Sequence, residues 1–367
     1  MMYCLSSYTP AGLCLSTVNP LSGVINQIST TGLPNGTSGY ALSTVDPING
    51  KYYFVYPNNI NEVDLNTGTL ISSTTLNGSV GYMQFNMPDT SIYCLSNQTP
   101  SVSAVFLARL NPSTGVLSYI SPNSLASSIN GSSGSALDPI NRKYYFVSNG
   151  NIISVDLQSG LTINTAPLSR AIDQIVFNCT DTTIYGLTNP TTSTVSLVSL
   201  AKVSPLTGSV TIISSSSIAT SMNYSSFSAI DYINQNYCFV SLNNFISLDL
   251  HSGGVVSNNS LSKIPLLIAS SPLCNIITDV EDIRKSNYDV SIFPNPIFDE
   301  SEIVVKKSDG RSIRVVLNNS LGMVEEFDLK SSDGHLYIRK GKLSSGVYSL
   351  SVFLGEDLIS KLKIIIL

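Results

Sequence analysis

One ten-residue phrase is written three times in this chain, as DPINGKYYFV from Asp46, DPINRKYYFV from Asp138 and DYINQNYCFV from Asp231. The starts lie 92 and 93 residues apart. A period of that length exceeds any single helix or hairpin and requires a recurring supersecondary unit, so it constrains the fold more than any other feature. Each copy is followed by a second matching phrase, NEVDLNTG (61–68), ISVDLQSG (153–160) and ISLDLHSG (246–253), in which an alternating run ends in a turn. Between these copies lies another kind: DTSIYCLSNQTP from Asp89, DTTIYGLTNPTT from Asp181 and a shortened MYCLSSYTP from Met2. Their later halves end in Pro-Gly turns, NPSTG at Asn111, SPLTG at Ser204 and NPLSG at Asn19. The array therefore alternates two sub-repeats of roughly 45 residues in the order B, A, B, A, B, A.

Only 12% of the residues are charged, 43% are hydrophobic, and Ser, Thr, Asn, Val, Ile and Tyr recur among turn dipeptides, which favours strands over helices. The first A unit resolves into four runs, roughly 39–45, 51–56, 60–65 and 70–75, separated by Asp, Pro, Asn and Gly. One four-stranded sheet cannot cover its own faces, whereas six stacked radially bury them and leave short edges. The expectation is an all-β chain in which residues 1–275 form a six-bladed β-propeller. The repeats resemble those of the broad quinoprotein-dehydrogenase-like and surface-propeller group, a resemblance of architecture that brings no cofactor with it. The first B copy begins at its second strand, and residues 264–270 (IPLLIAS) fall where a B unit should open, so that segment is expected to pair with the strand from Met2 and complete the first blade.

Charge divides the chain. Residues 1–270 carry 7 Lys/Arg and 10 Asp/Glu, whereas residues 271–367 carry 12 and 14. Two folded units joined by a polar linker at 276–286 account for the change. Runs at 289–293, 301–305, 313–317, 335–338, 348–353 and 358–366 predict a small immunoglobulin-like β-sandwich over 287–367. Within it stand VSIFPNP (290–296), NNSLGMV (318–324), LSSGVYSLSV (343–352) and KLKIII (361–366). In that order and spacing they resemble the type A sorting domain of the type IX secretion system of the Bacteroidetes. The resemblance implies that Pro294, Asn295 and Pro296 form the opening motif, Gly322 a turn, Gly346 and Tyr348 the late hairpin, and Lys361 with Lys363 the basic final strand. It implies secretion machinery as partner, a secreted or outer-surface destination, and removal of the tail on arrival. The first seven residues show no basic-then-apolar signal peptide, which members of that family carry.

A net charge of -5 with no basic run in the array argues against nucleic acid, and no apolar stretch is long enough for a membrane-spanning helix. With His251 and His335 the only histidines, one in each unit, neither a histidine metal cluster nor a Ser-His-Asp site is expected. Of the array's ten acids, Asp46, Asp138, Asp231, Asp64, Asp156, Asp249, Asp89 and Asp181 occupy repeated turn positions where a carboxylate bonds nearby amides. Two remain: Glu62, where the counterparts are Ser154 and Ser247, and Asp173, where the counterpart is Gly81. Asp173 on an innermost strand is the candidate ligand contact. The paired aromatics Tyr52/Phe54, Tyr144/Phe146 and Tyr237/Phe239 read as packing between blades. The six cysteines read as buried thiols, with Cys4–Cys14 and Cys4–Cys274 as the alternative pairings. The functional expectation is a non-catalytic module binding a glycan or protein, without metal or cofactor. The rival is a secreted polysaccharide hydrolase or lyase on the same scaffold.

Overall fold

The structure, a computed structural model, describes residues 2–7, 12–34, 42–97, 104–128, 134–188, 197–223, 227–270, 289–293, 295–297, 299–306, 313–319, 324–329, 335–341, 343, 346–355 and 357–366. Two compact units emerge, Met1–Asn275 and Ile276–Leu367. All regular structure among the described residues is β.

The first unit is a six-bladed β-propeller, six four-stranded antiparallel sheets around one axis. Blade 2 shows the pattern: Ser43–Asp46 innermost, then Lys51–Val55, Asn59–Asp64 and Leu70–Thr75 outermost. Blades 3 to 6 open with Gly81–Asn86, Ser135–Asp138, Asp173–Asn178 and Ala229–Asp231. In blade 1 the innermost strand is Leu266–Ser270, which pairs antiparallel with Met2–Ser7. Each innermost strand touches those of the two neighbouring blades, and Leu266–Ser270 lies between Ala229–Asp231 and Ser43–Asp46, so the ring is closed.

Burial falls from the axis outward. Tyr52, Phe54, Tyr144, Phe146, Tyr237 and Phe239 on the second strands are fully buried, whereas the outermost strand Leu70–Thr75 is mostly exposed. Burying such rings contributes roughly 1.5–3 kcal/mol each, which fixes the blades against one another. The outer parts of the blades interlock through glycine turns. Gly115 and Gly208 sit so close to the preceding blade that a Cβ would stand 2.1 Å from Thr75 O and 2.0 Å from Pro167 O. At the ring's closure the contact is looser, since a Cβ on Gly23 would stand 3.3 Å from the Cβ atoms of Asn259 and Phe245, and Ser247 donates to Pro20 O.

One buried residue breaks the pattern. Asn61 is fully buried on the third strand of blade 2, where the counterparts are Ile153 and Ile246, and its Oδ1 has no partner. An unmatched buried acceptor costs about 1–3 kcal/mol. Asn61→Ile is expected to raise the melting temperature by a few degrees, read by calorimetry; a lower value would show that the cavity cannot take the larger side chain.

The second unit holds a three-stranded sheet (Asp289–Phe293, Glu300–Lys306, His335–Arg339) and a four-stranded one in the order Val324–Leu329, Ile313–Asn319, Gly346–Leu354, Asp357–Ile366. Ile303, Val305, Leu336 and Ile338 of the first sheet share one apolar core with Val315, Leu317, Leu350 and Val352 of the second. The strand Val324–Leu329 (VEEFDL) is absent from the sequence reading. It is an edge strand, and in the sequence Glu325, Glu326 and Asp328 interrupt the apolar alternation by which strands are recognised.

Candidate ligand channel

The innermost strands of blades 1, 3 and 5 share a break in their ladders. Pairing shifts between Gly81 and Gln84, between Asp173 and Val176, and beside Tyr3 and Leu5. At each shift one residue takes a left-handed backbone: Tyr82 (φ 52), Gln174 (φ 51) and Leu267 (φ 49). Such a conformation costs about 1–2 kcal/mol for a residue with a Cβ. The bulge frees a carbonyl from the ladder, and the next blade takes it. Tyr52 donates to Leu267 O at 2.6 Å, Tyr237 to Gln174 O at 2.6 Å, and Tyr144 to Tyr82 O. A serine of the same neighbour donates as well: Ser43 to Leu267 O (3.2 Å), Ser228 to Gln174 O (2.9 Å) and Ser135 to Tyr82 O (3.5 Å). Burial pushes the phenols of Tyr52, Tyr144 and Tyr237 upward, so they remain donors. Three repeated clasps thus set the spacing of the axis.

The clasps surround a cavity of about 100 Å³ to which all six innermost strands contribute. Ser43, Ser135 and Ser228 supply hydroxyls at equivalent positions, and Gln84 and Gln174 supply amides. Phe85, Phe177, Phe227, Met83 and Met87 supply apolar wall. Among the described lining residues there is no Asp, Glu, His, Lys or Arg, and Tyr232, whose phenol burial pushes upward, donates to Phe177 O at 3.2 Å.

Asp173 opens the innermost strand of blade 5, half-buried and paired with Leu187; from that strand the lining is drawn from Gln174, Ile175, Val176 and Phe177. Glu62 is buried in blade 2 and forms an ion pair with Lys51. The repeated acids serve their turns. Asp46 Oδ1 accepts from the amides of Ile48 and Asn49, both at 3.0 Å, and its Oδ2 from Asn49 Nδ2 at 2.7 Å; Asp138 does the same for Ile140 and Asn141. His251 lies exposed in the turn anchored by Asp249. Among the described residues no group of three metal-ligating side chains forms.

The amides of Thr67, Ser159 and Ser252 hold the carboxyls of Asp64, Asp156 and Asp249 below the ordinary range. A depressed carboxyl pKa stabilises the fold above the unfolded value of about 4, and that contribution disappears as pH falls through the folded value. The propeller's melting temperature is therefore expected to fall on acidification from pH 5 to 3. A flat profile would show that these turns contribute nothing.

The cysteines correct the sequence reading. Cys4, Cys14, Cys94 and Cys238 are free and buried, so neither proposed pairing of Cys4 forms, whereas Cys179 is disulfide-bonded. Pairing follows tertiary proximity, which spacing in the chain does not report. Burial pushes the Cys94 and Cys238 thiols up to about 12, leaving them unreactive in the fold. Titration under denaturing, non-reducing conditions should find four thiols, and six after reduction. Six before reduction would refute the cystine.

In the second unit the Asn295 side chain accepts from the amide of Ile365 at 3.0 Å, Ile297 N donates to Ile365 O, and the peptide bond to Pro296 is cis. Gly346 and Tyr348 stand opposite Ile366 and Ile364 in the hairpin, with Tyr348 buried. Lys361 and Lys363 hold strand positions opposite Ser351 and Ser349. Pro294 and Gly322 lie outside the described residues.

The sequence reading missed Gln84 and Gln174. The signal was present: Gln84 has Val176 and Ala269 as counterparts, and Gln174 has Tyr82 and Leu267.

By its own strand order the first unit belongs to the β-propeller class. No family model matches the chain, and no curated protein does. Solved structures similar to it include a putative 6-phosphogluconolactonase from Bacteroides uniformis (12% identity, TM-score 0.46, 73% of this chain and 98% of that one). TolB from Acinetobacter baumannii is similar at 15% identity and TM-score 0.49, over 73% of this chain and 65% of that one. Kuenenia stuttgartiensis hydrazine synthase follows at 12%, TM-score 0.43, 65% and 70%.

Proposed function

We propose that this chain is an exported binding module: a propeller that holds a ligand without transforming it, carried to the cell surface or the medium by its C-terminal unit through type IX secretion. The observation that carries the binding half is the axial cavity, whose described lining offers hydroxyls, amides and apolar wall but no carboxylate, imidazole or basic group. Carboxylates, imidazoles and amines are the groups that most often carry acid–base chemistry or activate a nucleophile, and the hydroxyls of this lining have no such activator beside them among the described lining residues. The export half is supported by the residues that resemble the sorting motif. Asn295, Gly346 and Tyr348 all meet the final strand, Asp357–Ile366. A disulfide at Cys179 also suits an oxidising compartment outside the cytoplasm.

The full chain, fitted with a signal peptide and expressed in a type IX-secreting bacterium, is expected at the surface or in the medium, and the chain ending at residue 275 in the periplasm. Equal export of both would remove the tail's assigned role. Purified full chain is expected to bind glycans on an array or proteins in a pull-down, with no degradation of polysaccharide. Reproducible turnover of any polysaccharide would overturn the reading.

A further inference from the structure

The three A–B pairs of the propeller have the same structural work to do, so a residue that departs from its two counterparts while lining the axis is not required by the fold. Gln84 and Gln174 are such residues. Gln84 stands where Val176 and Ala269 suffice, and Gln174 occupies a bulge position that Tyr82 fills with a phenol ring and Leu267 with an alkyl chain inside the core.

Their hydrogen bonds show which valences remain. Gln84 Nε2 donates to Ser135 O (3.0 Å) and Ser135 Oγ (3.2 Å). Gln174 Nε2 donates to Asn223 O at 3.2 Å, while its Oε1 is buried without a partner. The hydroxyl protons of Ser43, Ser135 and Ser228 are committed to carbonyls of the clasps. Thr44, whose oxygen accepts from Phe85 N, and Ser270, which bonds Tyr232, carry hydroxyl protons as well; the other channel groups have lone pairs to offer and few protons. An anion finds little to bind. An ammonium would lose its hydration with no carboxylate among the described lining to replace it. A neutral hydroxyl donates without that penalty.

We infer that the axial channel is a binding site for the hydroxyl-bearing edge of a neutral sugar, with Gln84 and Gln174 as its specificity-determining acceptors, the buried Gln174 Oε1 turning into the channel to meet the ligand. The aromatic and thioether wall meets the apolar C–H face, and the cavity of about 100 Å³ admits a group of roughly four non-hydrogen atoms, in proportion to a benzene-binding cavity of about 150 Å³. A terminal sugar inserted edge-on meets that limit, and an internal unit of a polymer does not. This inference rests on the binding reading above.

The test is titration calorimetry of the full chain with methyl β-D-glucopyranoside, methyl β-D-galactopyranoside and N-acetyl-D-glucosamine as neutral probes, D-glucuronate as the anion and D-glucosamine as the ammonium. Gln84→Val and Gln174→Leu install residues that counterpart positions already carry, so both variants should fold. At least one neutral probe is expected to bind, with glucuronate and glucosamine at least about tenfold weaker, and each variant is expected to lose about tenfold in affinity, the scale of one hydrogen bond. Gln174→Leu should also melt higher, having lost an unmatched buried acceptor. Preference for glucuronate or glucosamine, affinity unchanged in both variants, or no saturable binding of any neutral probe would each overturn the inference. Glycan or protein binding by the wild type that both variants retain would leave the binding reading standing and place its site elsewhere.

Discussion

A chain that stops at residue 262 should not form the propeller, whereas one that stops at residue 275 should melt like the intact first unit. The eight residues 263–270 contain the innermost strand of blade 1. Without them Met2–Ser7 becomes an unpaired edge, Leu267 and Ile268 vanish from the core, and Tyr52 loses the carbonyl it donates to. Burying Leu267 and Ile268 alone contributes about 3–6 kcal/mol, and the ladder and clasp add to it. That sum approaches the 5–15 kcal/mol of a typical domain's whole stability. Circular dichroism melting would register the loss as the absence of a cooperative transition. A cooperative melt within a few degrees of the longer chain would show that closure contributes little.

Gly208→Ala should be the most damaging single methyl addition in the propeller, with Gly115→Ala next. The new Cβ at 208 would lie 2.0 Å from Pro167 O and 2.6 Å from Pro167 C, and φ is +72. Those atoms belong to backbone, so no side chain can swing aside. Two blades must separate, at a cost on the order of 3 kcal/mol or more. Gly50→Ala is the control: its φ is +64 with nothing within 4 Å, leaving only the left-handed penalty of about 1–2 kcal/mol. Melting temperatures should therefore fall much further for Gly208→Ala than for Gly50→Ala. Equal shifts would mean that the contact between blades yields easily.

The two glycines look alike in the sequence, each closing a turn between alternating runs. What separates them is the neighbouring blade. The same holds for the polar residues of the channel. Asp173 stands out in the sequence as an acid whose counterpart is Gly81, and the cavity is lined by the residues that follow it in the strand. Gln84 and Gln174 were as visible by their departure from the repeat, but their committed Nε2 groups and the orphaned Gln174 Oε1 emerge only when Ser135 and Asn223 arrive from other blades.

The sequence by itself determined the period, the four-stranded unit and the turn chemistry, because these depend on residues a few positions apart: Asp46 bonds amides two and three residues on. Only the tertiary structure decided the clasps, the cystine and the channel. Tyr52 finds its acceptor 215 residues away at Leu267, across the closure of the ring. Cys179 is bonded while four other cysteines stay free. Contacts of that range are set by where the ring places its strands in space, and neither spacing nor alternation along the chain encodes that distance.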